Sequence, residues 1–335
     1  MKKTKRYGLK SILGSIPLGG LGLVVLLTSC IDEDLSRCGV NYDMEYVVVQ
    51  DMRGSLHDEM AQEFTTEAER AVGVRLEAEL GAVCSDIAHD LDLSFYDNHR
   101  QAWHQNVIVD ASTASLTVYM QRADYRHLGV ANIAEEPVAT LTGAGSDTGM
   151  TIGCAAADTV DSQRSALFTS RLDMTGNAMT YRSYLYMVNS TAALIINRQG
   201  HEPQDIKAYV VDMAESFAVS DSLYSFAASR DDSHVVRTRR FTEGGYDCLY
   251  AVMLPSREGT PDADKGLWRI NVYVTMPDGK TTESVLAVNA PLRAGKARLI
   301  KARLNDDGSL DVDEPEVGVS VTLDWKPGGS HDVEI

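Results

Sequence analysis

The chain has 335 residues, with 48 acidic side chains against 31 basic ones and a formal net charge of −17. Such a surface repels nucleic acid and anionic headgroups, and no basic stripe interrupts it, so nucleic-acid binding is excluded. The first 29 residues hold five of the basic side chains and no acid, which leaves the remainder more negative still.

The head carries Lys2, Lys3, Lys5, Arg6 and Lys10, and an apolar run follows from Ile12 to Leu27. Pro17, Gly19 and Gly20 break that run, and it falls short of the roughly 20 apolar residues of a lasting membrane span. A basic start, a short apolar middle and small residues at the cut describe a secretory signal peptide over residues 1–29. The sequence Leu27-Thr28-Ser29-Cys30 resembles the box of bacterial lipoprotein signals. That resemblance implies cleavage before Cys30, a diacylglyceryl group on its thiol and acylation of the new amine. Each buried methylene contributes roughly 0.8 kcal/mol, so three chains make release from the bilayer negligible. The plain alternative is an ordinary signal peptide with a Cys at the cut by chance. Immediately behind, Asp32, Glu33 and Asp34 resemble the export signal that carries Bacteroidetes lipoproteins to the outer leaflet of the outer membrane.

Removing the leader leaves about 300 residues, more than one hydrophobic core usually covers, so two domains are expected. Cys38, Cys84, Cys154 and Cys248 remain, and sequence does not choose among their possible pairings. None forms a C-x-x-C pair, and no His stands at zinc-like spacing from any of them.

Alternation predicts a first strand over Asn41–Gln50, with Tyr42, Met44, Tyr46 and Val48 on one face. From Leu56 to Cys84 the pattern becomes helical, with Met60, Phe64, Ala68, Leu76 and Leu80 on one side and a break or bend expected at Gly73. Strands are then predicted at Leu91–Phe95, Asn106–Val109, Ser115–Met120 and Arg126–Ile133, with a turn at Asp97-Asn98. Gly143 to Gly149 is a loop without the Lys, the preceding strand or the following helix of a phosphate loop. A second strand-rich block starts near Tyr184 and continues through Ala192–Ile196, Ile206–Val211, Cys248–Leu254 and Trp268–Met276. Asp278-Gly279 and Asp307-Gly308 each separate alternating runs, Trp268–Met276 from Thr281–Val288 and Lys296–Leu304 from Ser309–Val312. Asp-Gly in that setting is a hairpin signal, because both residues tolerate positive φ. The last run is the cleanest: Val317, Val319, Val321, Leu323 and Trp325 share one face, and Pro327 stops the ladder. Many short strands and few helices give an all-β class of β-sandwiches. The expected organisation is a tether over 30–40, an N-terminal sandwich over 41–170 with a helical insertion, and a C-terminal sandwich over 171–335.

No catalytic arrangement emerges. His99 and His104 lie in a polar region at a spacing unsuited to one helical face, and no Gly-x-Ser-x-Gly elbow is present. Asn305 to Ser309 lacks the Gly placement of a calcium loop and reads as a hairpin turn. The sequence therefore predicts no metal, no cofactor and no enzyme.

The lipobox, Asp32-Glu33-Asp34-Leu35-Ser36 with Cys38 close behind, and a β-rich body together resemble the Mfa2/FimB family of fimbrial anchor and accessory subunits. His89 to Asp97, Tyr125 to Asn132 and Val321 to Gly329 resemble its early strands and its C-terminal strand and tail. The resemblance implies two tandem transthyretin-like sandwiches and an outer-membrane lipoprotein at the base of a fimbrium, limiting its length. Stalk or accessory subunits would then be its partners, beside the outer-membrane lipid that holds the acylated Cys30. Stalk subunits lose an N-terminal strand to an Arg-specific protease. Cleavage at Arg37 here would remove the anchor instead, so none is expected. Contact would proceed by β-strand addition, with Val319, Val321, Leu323 and Trp325 as candidates, against the plain reading of an ordinary core edge strand. A second hypothesis is an adhesin or glycan-binding tip or accessory lipoprotein. Trp103, in an expected polar loop, would then stack on sugar, whereas Trp268 alternates with Ile270, Val272 and Val274 as a core residue does.

Overall fold

The computed structural model describes residues 39–84, 89–108, 115–134, 136–155, 157–324 and 326. Cys30, Asp32, Glu33, Asp34, Arg37, Cys38, Val109 and Trp325 lie outside the described residues. Those described form an all-β body of layered sheets with a small helical insertion, the class expected from the sequence.

The first sheet has seven strands, in the order β3 (Arg100–Ile108), β2 (Asp90–Asp97), β5 (Tyr125–Ala131), β9 (Phe168–Met174), β10 (Thr180–Met187), β1 (Gly39–Gln50) and β4 (Ser115–Gln121). Its neighbour across the helices has five: β16 (Arg239–Glu243), β17 (Tyr246–Met253), β11 (Ser190–Asn197), β20 (Ala297–Leu304) and β21 (Leu310–Val312). Beyond it lies a six-stranded sheet of β22 (Val317–Thr322), β19 (Thr281–Val288), β18 (Trp268–Thr275), β12 (Asp205–Val211), β15 (Val235–Arg237) and β8 (Thr159–Asp161). A small fourth sheet joins β14 (Leu223–Ser225), β13 (Ser216–Ala218), β7 (Thr151–Cys154) and β6 (Ala139–Thr142). The expected division at residue 170 lies within β9, and two sheets join strands from both sides of it: β8 with β15, and β7 with β13.

The five-stranded sheet is the centre of the body. Ala193, Ile195, Cys248, Tyr250 and Leu299 point to the helices and the seven-stranded sheet, in a core with Tyr42, Met44, Phe95 and Phe168. Ala192, Leu194, Ile196, Leu249, Ala251 and Ile300 point the other way, into a core with Trp268, Ile270, Val272 and Leu286. Strands covered on both faces carry unbroken apolar runs, which is why 192–196 and 248–254 lack alternation. The fourth sheet covers the far side of the seven-stranded sheet through Leu128, Val130, Ile152 and Phe217.

Two helices form the insertion, α1 (Met52–Glu63) and α2 (Glu67–Val83). The break falls at Phe64–Thr66, not at Gly73. Thr66 caps α2 in a reciprocal box with Glu69, whose carboxylate also accepts from Thr65. Burial would raise the Glu69 pKa, but hydrogen bonds from Thr66 and Thr65 and the charge of Lys301 bring it down to about 2. Gly73 lies within α2, at a point where a Cβ would come 2.6 Å from the Phe64 ring. Close packing, not flexibility, is the reason for that glycine.

Beneath the seven-stranded sheet, His127 is fully buried, stacked on Phe95 at 4.3 Å between ring centres. Its ring nitrogens lie 3.1 Å from Tyr46 Oη and 3.1 Å from the Ser94 carbonyl. Burial pulls its pKa down to about 4, so the ring is neutral at physiological pH. The expected Asp-Gly hairpins form as predicted, with Gly279 at φ +83° and Gly308 at φ +81°.

Candidate strand-contact site

The C-terminal strand β22 pairs with β19 in antiparallel register, from Val317 opposite Val288 to Thr322 opposite Glu283. Directly opposed side chains in such a pair point to the same side. Val319 therefore stands on the side of buried Leu286, and Val321 on the side of buried Ser284. Yet the apolar face is covered only at its start. Val317 is 8% exposed, whereas Val319, Val321 and Leu323 are 37%, 44% and 57% exposed.

The facing sheet explains this. It ends at the three-residue strand β21, which reaches β19: the Leu310 N–H donates to Ser284 Oγ at 3.1 Å. Past Val317, β22 therefore overhangs that cover. Leu323 shares a cavity of about 360 Å³ with Met276, Pro277 and Thr282. On its other side β22 has no strand neighbour among the described residues, so it ends the six-stranded sheet. Overhang and open edge together offer main-chain donors and acceptors beside uncovered apolar side chains, the arrangement that admits an added strand.

The aromatic candidates resolve differently. Trp268 is fully buried, and its Nε1–H donates to the Ala290 carbonyl at 2.9 Å, as its alternation predicted. Trp103 is not in a loop but within β3, where it packs edge-on against Phe95 with ring centres 5.3 Å apart. Half-buried against the core, it offers no open platform. The turn before it is made by Asn98 and His99, both at positive φ, one residue later than expected. His99 lies 3.0 Å from a carboxylate oxygen of buried Asp147, and His104 lies 3.1 Å from Asp92. Sequence reasoning passed over Tyr119, Tyr184 and Tyr186, which are 67%, 46% and 52% exposed on the seven-stranded sheet. Their alternation with buried Val118, Leu185 and Met187 was the available signal. Cys84, Cys154 and Cys248 are free thiols, and burial pushes Cys84 up to about 11 and Cys154 up to about 12. Neutral at physiological pH, they are poor nucleophiles.

No family model and no curated protein matches the chain. Solved structures do match. The fimbrial anchor protein Mfa2 from Porphyromonas gingivalis is 10% identical over 86% of this chain and 99% of its own, with a TM-score of 0.51. The fold is Mfa2-like. A candidate adhesin from Bacteroides thetaiotaomicron is 8% identical over 86% of this chain and 99% of its own, with a TM-score of 0.50. Identities this low carry the architecture alone. In this chain the Mfa2-like fold ends one sheet on β22, whose apolar side is exposed beyond Val317.

Proposed function

We propose that this protein is a lipid-anchored subunit of a cell-surface fimbrium, moored to the outer membrane through Cys30 and holding other subunits by β-strand addition. As an anchor it terminates the polymer and limits its length. The observation that carries the reading is the exposed apolar side of β22, with Val319 and Val321 uncovered on an open sheet edge and Leu323 exposed in the turn that follows. Main-chain hydrogen bonds along such an edge give affinity, and alternate side chains give register. Trp325 continues the same alternation in the sequence and is assigned to the contact with them. The lipobox supports the mooring, and Asp32, Glu33 and Asp34 support display on the outer face. The solved protein with this fold from Porphyromonas gingivalis is a fimbrial anchor, and the reading gives this chain the same role.

Three experiments test the reading. Cys30→Ser is expected to release the protein from envelope membranes, and unchanged partitioning would contradict the anchor. Deleting the gene is expected to yield shed, overlong fimbriae. Fimbriae that stay cell-bound at normal length would overturn the anchoring role. A chain truncated before Val317 is expected to lose its fimbrial partner in pull-downs, and equal recovery would remove β22 from the contact.

A further inference from the structure

A second sheet edge in the body is closed by an unusual means. β21 pairs with only the last three residues of β20, Ala302 to Leu304, and leaves 297–301 without a strand on that side among the described residues. Alternate N–H groups of that stretch instead donate to side chains. Ala297 N–H donates to Ser55 Oγ at 3.2 Å, Leu299 N–H to Glu59 Oε2 at 3.2 Å and Lys301 N–H to Glu314 Oε1 at 3.1 Å. Three side-chain oxygens, two of them on α1, stand where the carbonyls of a neighbouring strand would stand.

The helix that supplies two of those oxygens buries little apolar side chain and is tied to β20 mainly through polar contacts. Among its residues only Met52 and Leu56 are buried, and Gly54, His57 and Asp58 are poor helix formers. An element with few buried apolar contacts belongs to the low-stability end of a structure. The chain also carries a strand suited to the edge. β22 ends its sheet, and its apolar side chains lack cover.

We infer that residues 297–301 of β20 are a latent strand-acceptor edge closed by α1 and Glu314, and that the segment it accepts when α1 yields is β22 of a second copy. The inference rests on the reading of β22 as a contact strand. The incoming strand keeps its pairing to β19, because its free edge makes the new bonds. Its carbonyls replace the oxygens of Ser55, Glu59 and Glu314. Donor and acceptor are different surfaces, so the contact is head-to-tail and each copy retains one free end.

The test uses the mature chain. Wild type is expected to remain monomeric at micromolar concentration in size exclusion with light scattering. S55A/E59A, which keeps good helix formers but removes two oxygens, is expected to shift to dimers and larger species, with at least a tenfold stronger association. E59Q retains an acceptor oxygen and is expected to behave as wild type. Adding V319E/V321E is expected to restore the monomer, and exchange of the 297, 299 and 301 amides should then quicken. A monomeric S55A/E59A overturns the acceptor edge. Association that survives V319E/V321E overturns β22 as its occupant. Should the double variant fail to fold, E59A alone gives the same readings. Loss of the fimbrial partner on truncation before Val317, beside a monomeric S55A/E59A, would leave the contact strand standing and remove the acceptor alone.

Discussion

The edges of β22 and β20 belong to two sheets packed face to face, and they are finished in opposite ways. At β20 every outward N–H from 297 to 301 meets a side-chain oxygen, and a helix lies over the stretch. At β22 the edge has no strand neighbour among the described residues, and the apolar side chains behind it stand 37–57% exposed. An exposed, flat, apolar edge invites aggregation, and proteins blunt such edges unless they use them. One body thus guards one edge with side chains and leaves the edge of the facing sheet open, which is the contrast the proposed contact rests on.

The largest expected effect separates the covered start of β22 from its open remainder. Val317→Asp buries an unpaired carboxylate beside Val288 and is expected to cost about 3 kcal/mol of stability by urea denaturation. Val321→Asp, four residues on, is expected to change stability by less than about 0.5 kcal/mol while weakening partner binding. Equal costs at the two positions would break the contrast, since they would place Val321 in a closed core.

Acid probes a region away from both edges. His127 is held neutral by burial, with its pKa brought down to about 4, so the unfolded chain binds its proton first. Stability is therefore complete above about pH 6.5 and falls by about 3 kcal/mol as pH drops toward about 4. His127→Gln is expected to flatten this part of the stability–pH curve. Binding through β22 should follow global unfolding across that range and show no separate transition.

A smaller effect concerns the helices that guard the central sheet. Alanine is the better helix former, yet Gly73→Ala is expected to destabilise by about 1–2 kcal/mol, because the new methyl meets the Phe64 ring. Thr66→Ala removes one side of the capping box and is expected to cost about 1 kcal/mol. Both are read from thermal or urea denaturation, and a stabilised Gly73→Ala would show that Phe64 has room to move.

Much of the architecture was legible because burial on one face writes alternation into a strand. Trp268 to Val274 and Thr281 to Val288 are the plain cases, and Asp278-Gly279 marks the turn between them. The helix break was also written, in Thr66 and Glu69, but Gly73 is the louder signal and its cause is a contact with a ring nine residues away. Trp103 was misplaced because β3 is an edge strand, exposed along most of its length and without a clean period. The parallel pairings of β1 with β10 and β11 with β20 join segments far apart in the chain, which local pattern cannot show. At the candidate contact site, the shared face of Val319 and Val321 was plain, whereas the alternation through Leu323 hid the end of the strand at Thr322 and the turn at Leu323-Asp324. The exposure of that face was not plain, because the overhang depends on where β21 ends and which strand it meets.

The account turns on whether β22 is where another subunit joins. Hydrogen exchange across the chain, measured with and without a fimbrial subunit co-purified from native envelopes, decides this most directly. Slowed exchange confined to the amides of 317–324 is the predicted result. A bound partner that leaves those amides unchanged and protects another surface would contradict it.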